Sequence, residues 1–264
     1  MNENQAQSRT VLVTGGSRGI GAAAALACAQ AGWDVAVNYT RDAAAADKVA
    51  REVRAMGRRA IHVQADVADE SAVLAMFARI DAELSPLKGL VNNAGIVDAM
   101  ARVDQTSLAR LQRMFAINVF GSFLCAREAV KRMSTKHAAK DLQLPAGSGQ
   151  GGVIVNLSSA AARLGAANEY VDYAGTKGAI DTLTVGLARE VGPDGIRVTA
   201  VRPGLIETDI HASGGAPGRA ERLGASVPLG RSGTAEEVGA AIVWLLSDEA
   251  SYVNGTILEV TGGR

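Results

Sequence analysis

Seven short runs rich in β-branched and other apolar residues recur along the chain, at 10–14, 34–39, 59–64, 87–91, 152–157, 196–201 and 256–260, with helical stretches between them. Strands this uniformly apolar must be covered on both faces. Parallel strands joined by right-handed helical crossovers achieve that, because the crossovers lay helices over each side of the sheet. The spacing therefore predicts a single doubly wound α/β domain over 1–264, a seven-stranded parallel sheet with helices on both faces. Gly32, Gly57 and Gly192-Pro193 follow helical segments where a left-handed residue or a stop is wanted. The polar, Gly-rich segment 136–152, interrupted by Pro145, breaks the rhythm and reads as an exposed loop insertion before the fifth strand.

Directly after the first strand stands Thr14-Gly15-Gly16-Ser17-Arg18-Gly19-Ile20-Gly21, followed by an Ala-rich helix. Glycines allow a backbone to approach a pyrophosphate without a Cβ clash, and the helix offers free N–H groups and its positive dipole end. Strand, turn and helix in this order point to a Rossmann-type dinucleotide site.

The spacing Gly15-x-x-x-Gly19-x-Gly21 departs from G-x-G-x-x-G and resembles the turn of short-chain dehydrogenases/reductases. Asn92-Asn93-Ala94-Gly95, Tyr173-Ala-Gly-Thr-Lys177, Arg202-Pro203-Gly204 and Gly262-Gly263 extend that resemblance over nearly the whole chain. It implies a nicotinamide cofactor held by Gly15, Ser17, Arg18, Gly19, Ile20 and Gly21, with Asp66 and Val67 at the adenine and Asn93, Ala94 and Gly95 on the adenine ribose side. It also implies that Ile206 and Thr208 hold the carboxamide.

An NAD site usually ends its second strand with a carboxylate for the ribose hydroxyls. Here the strand ends Asn38-Tyr39-Thr40-Arg41, and Asp42 is better placed as the N-cap of the next helix. Tyr39, Thr40 and Arg41 then border the adenosine, and Arg41 with Arg18 can grip a 2′-phosphate, each contact being worth about 1.5–3 kcal/mol. NADP(H) is the expected cofactor, with NAD(H) as the lesser one.

A ketone that accepts a hydride needs a proton on its oxygen. A tyrosine supplies it at neutral pH only if its pKa falls from about 10 by about three units, roughly 4 kcal/mol favouring the phenolate. A nearby ammonium and a cationic nicotinamide are suitable sources. Tyr173 and Lys177 stand four apart and so share a helix face, whereas the residues four after Tyr39, Tyr170 and Tyr252 are Ala43, Ala174 and Thr256. The pair follows a strand ending in Leu157-Ser158-Ser159, at the end of the sheet where ligands bind. In the resemblance, Ser159 polarises the substrate oxygen and Ser158 is a structural hydroxyl, while Asn118 binds a water that relays protons to the lysine. Mid-helix Asn is otherwise unfavourable.

Residues 205–228, with His211 and several glycines, read as a substrate lid. The substrate is a small carbonyl compound or alcohol; both 3-oxoacyl thioesters, as in 3-oxoacyl-carrier-protein reductases, and sugars or polyols, as in glucose-dehydrogenase-like enzymes, fit. A catalytically silent NADP(H)-binding sensor is the rival from another class, and it predicts a broken Tyr/Lys/Ser set. The family assembles as homotetramers, and Val238 to Leu246 suits either such an interface or the core. Lys plus Arg and Asp plus Glu are 27 each, so no net field favours nucleic acid or an anionic membrane. No apolar run of about 18 residues suggests a membrane span and no apolar leader opens the chain, so a cytoplasmic protein is expected. Cys28 and Cys125 read as small core residues, and no spacing of ligands suggests a metal.

Overall fold

Each apolar run becomes a strand of one parallel sheet in the computed structural model, which describes residues 9–138, 142–208 and 218–264. The strands are β1 (Thr10–Val13), β2 (Asp34–Tyr39), β3 (Ala60–Gln64), β4 (Leu87–Asn92), β5 (Gly152–Leu157), β6 (Ile196–Pro203) and β7 (Ile257–Val260). They lie in the order β3-β2-β1-β4-β5-β6-β7. The chain leaves β1 towards β2 and β3, then returns to the other side of β1 with β4. A crevice must open where the connections diverge, at the carboxyl ends of β1 and β4.

Helices cover both faces. Against one lie α1 (Gly19–Gln30) and α2 (Ala43–Ala55), with the helix spanning Ala235–Leu246, the ninth among the described residues; they bury Ala24, Cys28, Val49, Val53, Val238 and Ile242 over the β-branched strands. Val238, Ile242, Leu245 and Leu246 are core, while Trp244 on the same helix remains 39% exposed. Against the other face lie α3 (Glu70–Glu83), α5 (Gly121–Met133) and α7 (Val171–Val191), with Phe77, Ile80, Cys125 and Met133 inside. Two shorter helices, α4 (Leu108–Phe115) and α6 (Ala161–Leu164), and α8 (Arg219–Gly224) fill the connections, and the last long helix is α9.

Local signals set the boundaries. Asp42 caps α2 by accepting from the Ala45 N–H at 2.9 Å, as its position predicts. Gly32 and Gly57 take positive φ, whereas at 192–195 the left-handed residue is Gly195, because Pro193 first forces one further 3₁₀ turn. The 136–152 insertion is tied down rather than projecting: Gly149 N–H bonds to Arg132 O at 2.8 Å and Gly151 N–H to Met133 O at 2.7 Å. It precedes β5, so it lies at the opposite end of the sheet from the crevice. Residues 139–141 of that insertion, and 209–217 of the expected lid, fall outside the described residues.

Candidate active site

The Gly-rich turn is built for close approach. Gly15 and Gly19 have φ of +61° and +53°. A Cβ on Gly21 would lie 2.3 Å from Gly15 O and 2.5 Å from Asn93 Nδ2, so only glycine fits there. Among the described residues α1 has no side-chain cap and no acidic residue in its first turn, whereas α2, α3, α4 and α9 are capped by Asp42, Asp69, Ser107 and Thr234. Its first N–H groups are left for an anion.

Three residues hold the turn in place, and only one of them was singled out from sequence. Asn93 donates through Nδ2 to Thr14 O (2.8 Å) and Gly15 O (3.1 Å), and Thr14 Oγ1 accepts from the N–H groups of Asn93 and Ala94. Asn38, buried in β2, accepts from Gly15 N–H at 3.1 Å and donates to Ala65 O at 3.0 Å. A buried Asn within a β-branched strand was the signal that could have revealed it, since strand positions disfavour Asn unless it has bonds to make.

Of the residues expected at the adenosine, Thr40 and Arg41 are exposed at the end of β2, but the Tyr39 ring is buried edge-on to His62 at 5.9 Å. Arg18 is exposed, and among the described residues neither Arg18 nor Arg41 makes an ion pair. Asp66 is exposed after β3 and accepts from Ala68 N–H, while Val67 is buried against Gly121. Thr208 methyl lies against Gly19, and Ile206 pairs with Gly233 beside the crevice. A cradle that admits no Cβ, an uncapped helix and two guanidinium groups without partners fit a phosphorylated dinucleotide.

The second half of the crevice is a cleft of about 460 Å³ lined by Ser159, Tyr173, Lys177, Gly95 and Ile206 among others. Ser159 and Tyr173 share its wall, with the Ser159 hydroxyl placed to favour the ionised phenol. Lys177 Nζ lies 5.6 Å from the Tyr173 ring centroid and donates to Leu157 O at 2.6 Å. Ser158 is buried and donates to Lys177 O at 3.3 Å, the structural part expected of it. A Cβ on Gly95 would lie 3.4 Å from Asn118 Oδ1 and 3.7 Å from Lys177 Nζ, so the Asn-Asn-Ala-Gly loop comes directly over the lysine.

Asn118 sits in a π-helical turn, Ala116–Phe120, between α4 and α5. Such turns relieve the i→i−4 ladder and are found at functional sites. Its amide accepts from Ile96 N–H (2.8 Å) and donates to Ile96 O (2.9 Å) and Thr176 Oγ1 (3.1 Å). Behind it, Asn92 donates to Asn156 Oδ1 at 3.0 Å and Asn156 to Thr184 Oγ1 at 3.0 Å, a buried polar row across β4, β5 and α7.

Burial shifts both Tyr173 and Lys177 in the chain alone. Burial pushes the Tyr173 phenol above 10.0, and the Ser159 hydroxyl recovers part of that. Burial also lowers the Lys177 ammonium to about 8, opposed by Asp181 one turn on. In the chain alone burial outweighs the ammonium at the phenol, because both groups are desolvated together.

A dinucleotide cradle at the switch point, opening onto a hydroxyl, a phenol and an ammonium in one cleft, defines an NAD(P)-dependent oxidoreductase acting on CH–OH or C=O groups. The chain belongs to the short-chain dehydrogenase/reductase family: residues 15–264 match the family described as Enoyl-(Acyl carrier protein) reductase. It is similar to the uncharacterized oxidoreductase YgfF of Escherichia coli (strain K12), 53% identical over 253 residues, 96% of this chain and 98% of that one. An NADPH-dependent aldehyde reductase-like protein, chloroplastic, of Arabidopsis thaliana is 35% identical over 97% of this chain and 93% of its own length. The crystal structure of a short chain dehydrogenase from Burkholderia cenocepacia J2315 in complex with NADP superimposes with a TM-score of 0.85 at 35% identity, covering 98% of this chain and 99% of that chain. Among the described residues no group of His, Cys, Asp and Glu is placed to hold a metal, and no helix is long and apolar enough to cross a membrane.

Proposed function

We propose that the protein is an NADP(H)-preferring reductase of ketones, or dehydrogenase of the matching secondary alcohols, with Tyr173 as general acid/base. The observation that carries this reading is that Ser159, Tyr173 and Lys177 line one cleft, with Lys177 Nζ 5.6 Å from the Tyr173 ring centroid, adjoining the dinucleotide cradle. The cofactor supplies or receives the hydride. Gly15, Ser17, Gly19, Ile20 and Gly21 cradle its pyrophosphate, and Arg18 and Arg41 grip the 2′-phosphate. Asp66, Val67, Asn93, Ala94 and Gly95 flank the adenosine, and Ile206 and Thr208 hold the carboxamide.

The Tyr173 hydroxyl gives its proton to the substrate oxygen, while the Ser159 hydroxyl stabilises the charge that grows there. Lys177 holds a positive charge beside the phenol. Asn118 has its side chain committed to Ile96 and Thr176, so the relay water is met by its backbone carbonyl, which also accepts from Ser122 Oγ at 3.1 Å.

Small apolar residues, Val97, Ala160, Ala161, Ala167 and Leu205, wall the cleft and favour a compact, largely apolar carbonyl compound. Glu169 on the same wall supports a polyol as the second reading. Residues 205–228 act as the lid, and the chain works as a homotetramer in the cytoplasm.

The test is NADPH oxidation with a panel of diketones, quinones, aldehydes, acetoacetyl thioesters and sugars. Tyr173→Phe is expected to lower turnover by roughly three decades with NADPH affinity nearly unchanged. Activity within tenfold of the parent would remove Tyr173 from the chemistry, and equal or better use of NADH would remove the cofactor preference. Tight NADPH binding without turnover of anything in the panel would favour the sensor.

A further inference from the structure

Helix α7 carries Tyr173 in its first turn, yet its N-cap residue, Tyr170 at φ −145° and ψ 47°, gives no side-chain cap. The N–H groups of a first turn have no partner within their helix. That of Tyr173 is met by the neighbouring carboxylate, Asp172 Oδ1, at 2.9 Å. Asp172 in turn is gripped from another helix: Arg110 of α4 donates through Nε to Oδ2 at 2.6 Å and through a terminal nitrogen to Oδ1 at 3.2 Å. Its other terminal nitrogen donates to Ala99 O at 2.6 Å. The ion pair is out of solvent, with side-chain exposures of 12% for Arg110 and 6% for Asp172.

One guanidinium therefore joins three pieces around the site: α4, which runs on into the π turn of Asn118; the segment 98–102, which follows Val97 of the cleft; and the first turn of α7. Neighbouring bonds stitch the same seam, from Ala101 N–H to Glu169 O at 3.0 Å and from Arg102 to Asn168 Oδ1 at 3.2 Å. The seam also has an electrostatic side. An unbalanced carboxylate next to a phenol opposes its ionisation, and a bidentate guanidinium cancels that charge.

We propose that Arg110 is a positioning residue for Tyr173, acting through Asp172 as a clamp that fixes the first turn of α7 and balances the charge of the carboxylate that holds the Tyr173 backbone. This rests on Tyr173 being the proton donor. The other charged or titratable groups around that phenol are Lys177 on its own helix, Glu169, Tyr170 and Arg264 across the cleft, and the Asp98–Arg113 pair beyond Arg110. Arg110 is singled out among them because it alone bonds the carboxylate that holds the Tyr173 backbone.

The experiment needs no substrate. Tyrosinate absorbance is titrated at saturating NADP+, as the difference between each protein and the same protein carrying Tyr173→Phe. Arg110→Met is expected to raise the midpoint by about one pH unit, and Arg110→Lys, which keeps the charge without the fork, by less. Adding Asp172→Asn to Arg110→Met removes the uncompensated carboxylate and should bring the midpoint back towards the parent. Circular dichroism and NADPH binding check that each variant is folded; should Arg110→Met fail, Arg110→Gln with Asp172→Asn against Arg110→Gln alone gives the same comparison. A midpoint unmoved by loss of the guanidinium, or a rise that Asp172→Asn leaves in place, would overturn the clamp. A parent difference spectrum that shows no titration would instead strike the role given to Tyr173.

Discussion

Gly21 illustrates how far one atom can matter here. Replacing it by alanine places a methyl group 2.3 Å from Gly15 O and 2.5 Å from Asn93 Nδ2, so either the turn or its anchor must move. Gly21→Ala is expected to cost about 1–3 kcal/mol of stability, read by urea unfolding, and to weaken NADPH binding at least roughly tenfold, read by fluorescence titration. Lys177 gives a pH signature. Its ammonium is lowered from 10.5 to about 8 in the folded protein, so folding is penalised while the group is charged. The unfolded chain binds the extra proton above about pH 8, so stability should rise from about pH 8 towards about pH 10, by roughly 1–3 kcal/mol. Above that the raised Tyr173 phenol works in the opposite direction, since the unfolded chain then loses its proton first. Lys177→Met should lack the rise in unfolding experiments without cofactor. At this scale the sequence was informative where chemistry is tied to spacing: Gly15, Gly19, Gly21, Tyr173 and Lys177 stand at fixed offsets within one local element. Asn38 and Thr14 were missed as anchors because their partners lie in other strands.

Elements show the same division. The strands and the long helices were legible because burial on both faces writes continuous apolar runs, and caps such as Asp42 write their own boundary. The π turn around Asn118 was not legible, since it depends on what the amide meets across the crevice, Ile96 and Thr176. Nor was the ion triad between α3 and α5. There Arg132 is 3% exposed and pairs with Asp81 at 2.8 Å and Glu128 at 3.0 Å, its guanidinium 4.8 Å from the Phe77 ring centroid. Arg132→Met would strand the Asp81 carboxylate, while Glu128 keeps Lys131 and Arg127, at a cost of about 3–5 kcal/mol in denaturant unfolding near neutral pH. Asp81 is already raised by burial, so it takes up a proton readily and the deficit should shrink as the pH falls towards the carboxylate range. A deficit independent of pH would show that the cost is lost packing rather than stranded charge.

The whole molecule leaves two apolar surfaces uncovered. Phe120 and Phe123, 59% and 50% exposed, lie at the start of α5, and nothing lies within 4 Å of a Cβ on Gly175, Gly178 or Gly186 of α7. Trp244 and the half-exposed edge strand β7 form the other. Two such patches, each meeting its own copy about a two-fold axis, would close the proposed tetramer. Light scattering is expected to give four times the 27.1 kDa chain mass, and Phe120→Glu with Phe123→Glu to halve it. A monomer in the parent would refute the tetramer.

Strand alternation, turn glycines and the Tyr/Lys spacing are short-range patterns, and each is written within a few residues of chain. They determined the sheet and its helical cover, and pointed to the Gly-rich turn and to Ser159, Tyr173 and Lys177, which share one cleft. The tertiary structure alone decided which asparagines lock the turn, that Tyr39 turns inward, and that burial raises the phenol while lowering the ammonium. It alone, too, brought an arginine of α4 onto the carboxylate beside Tyr173. Those outcomes depend on desolvation and on partners 20 or more residues apart along the chain, which no local pattern records.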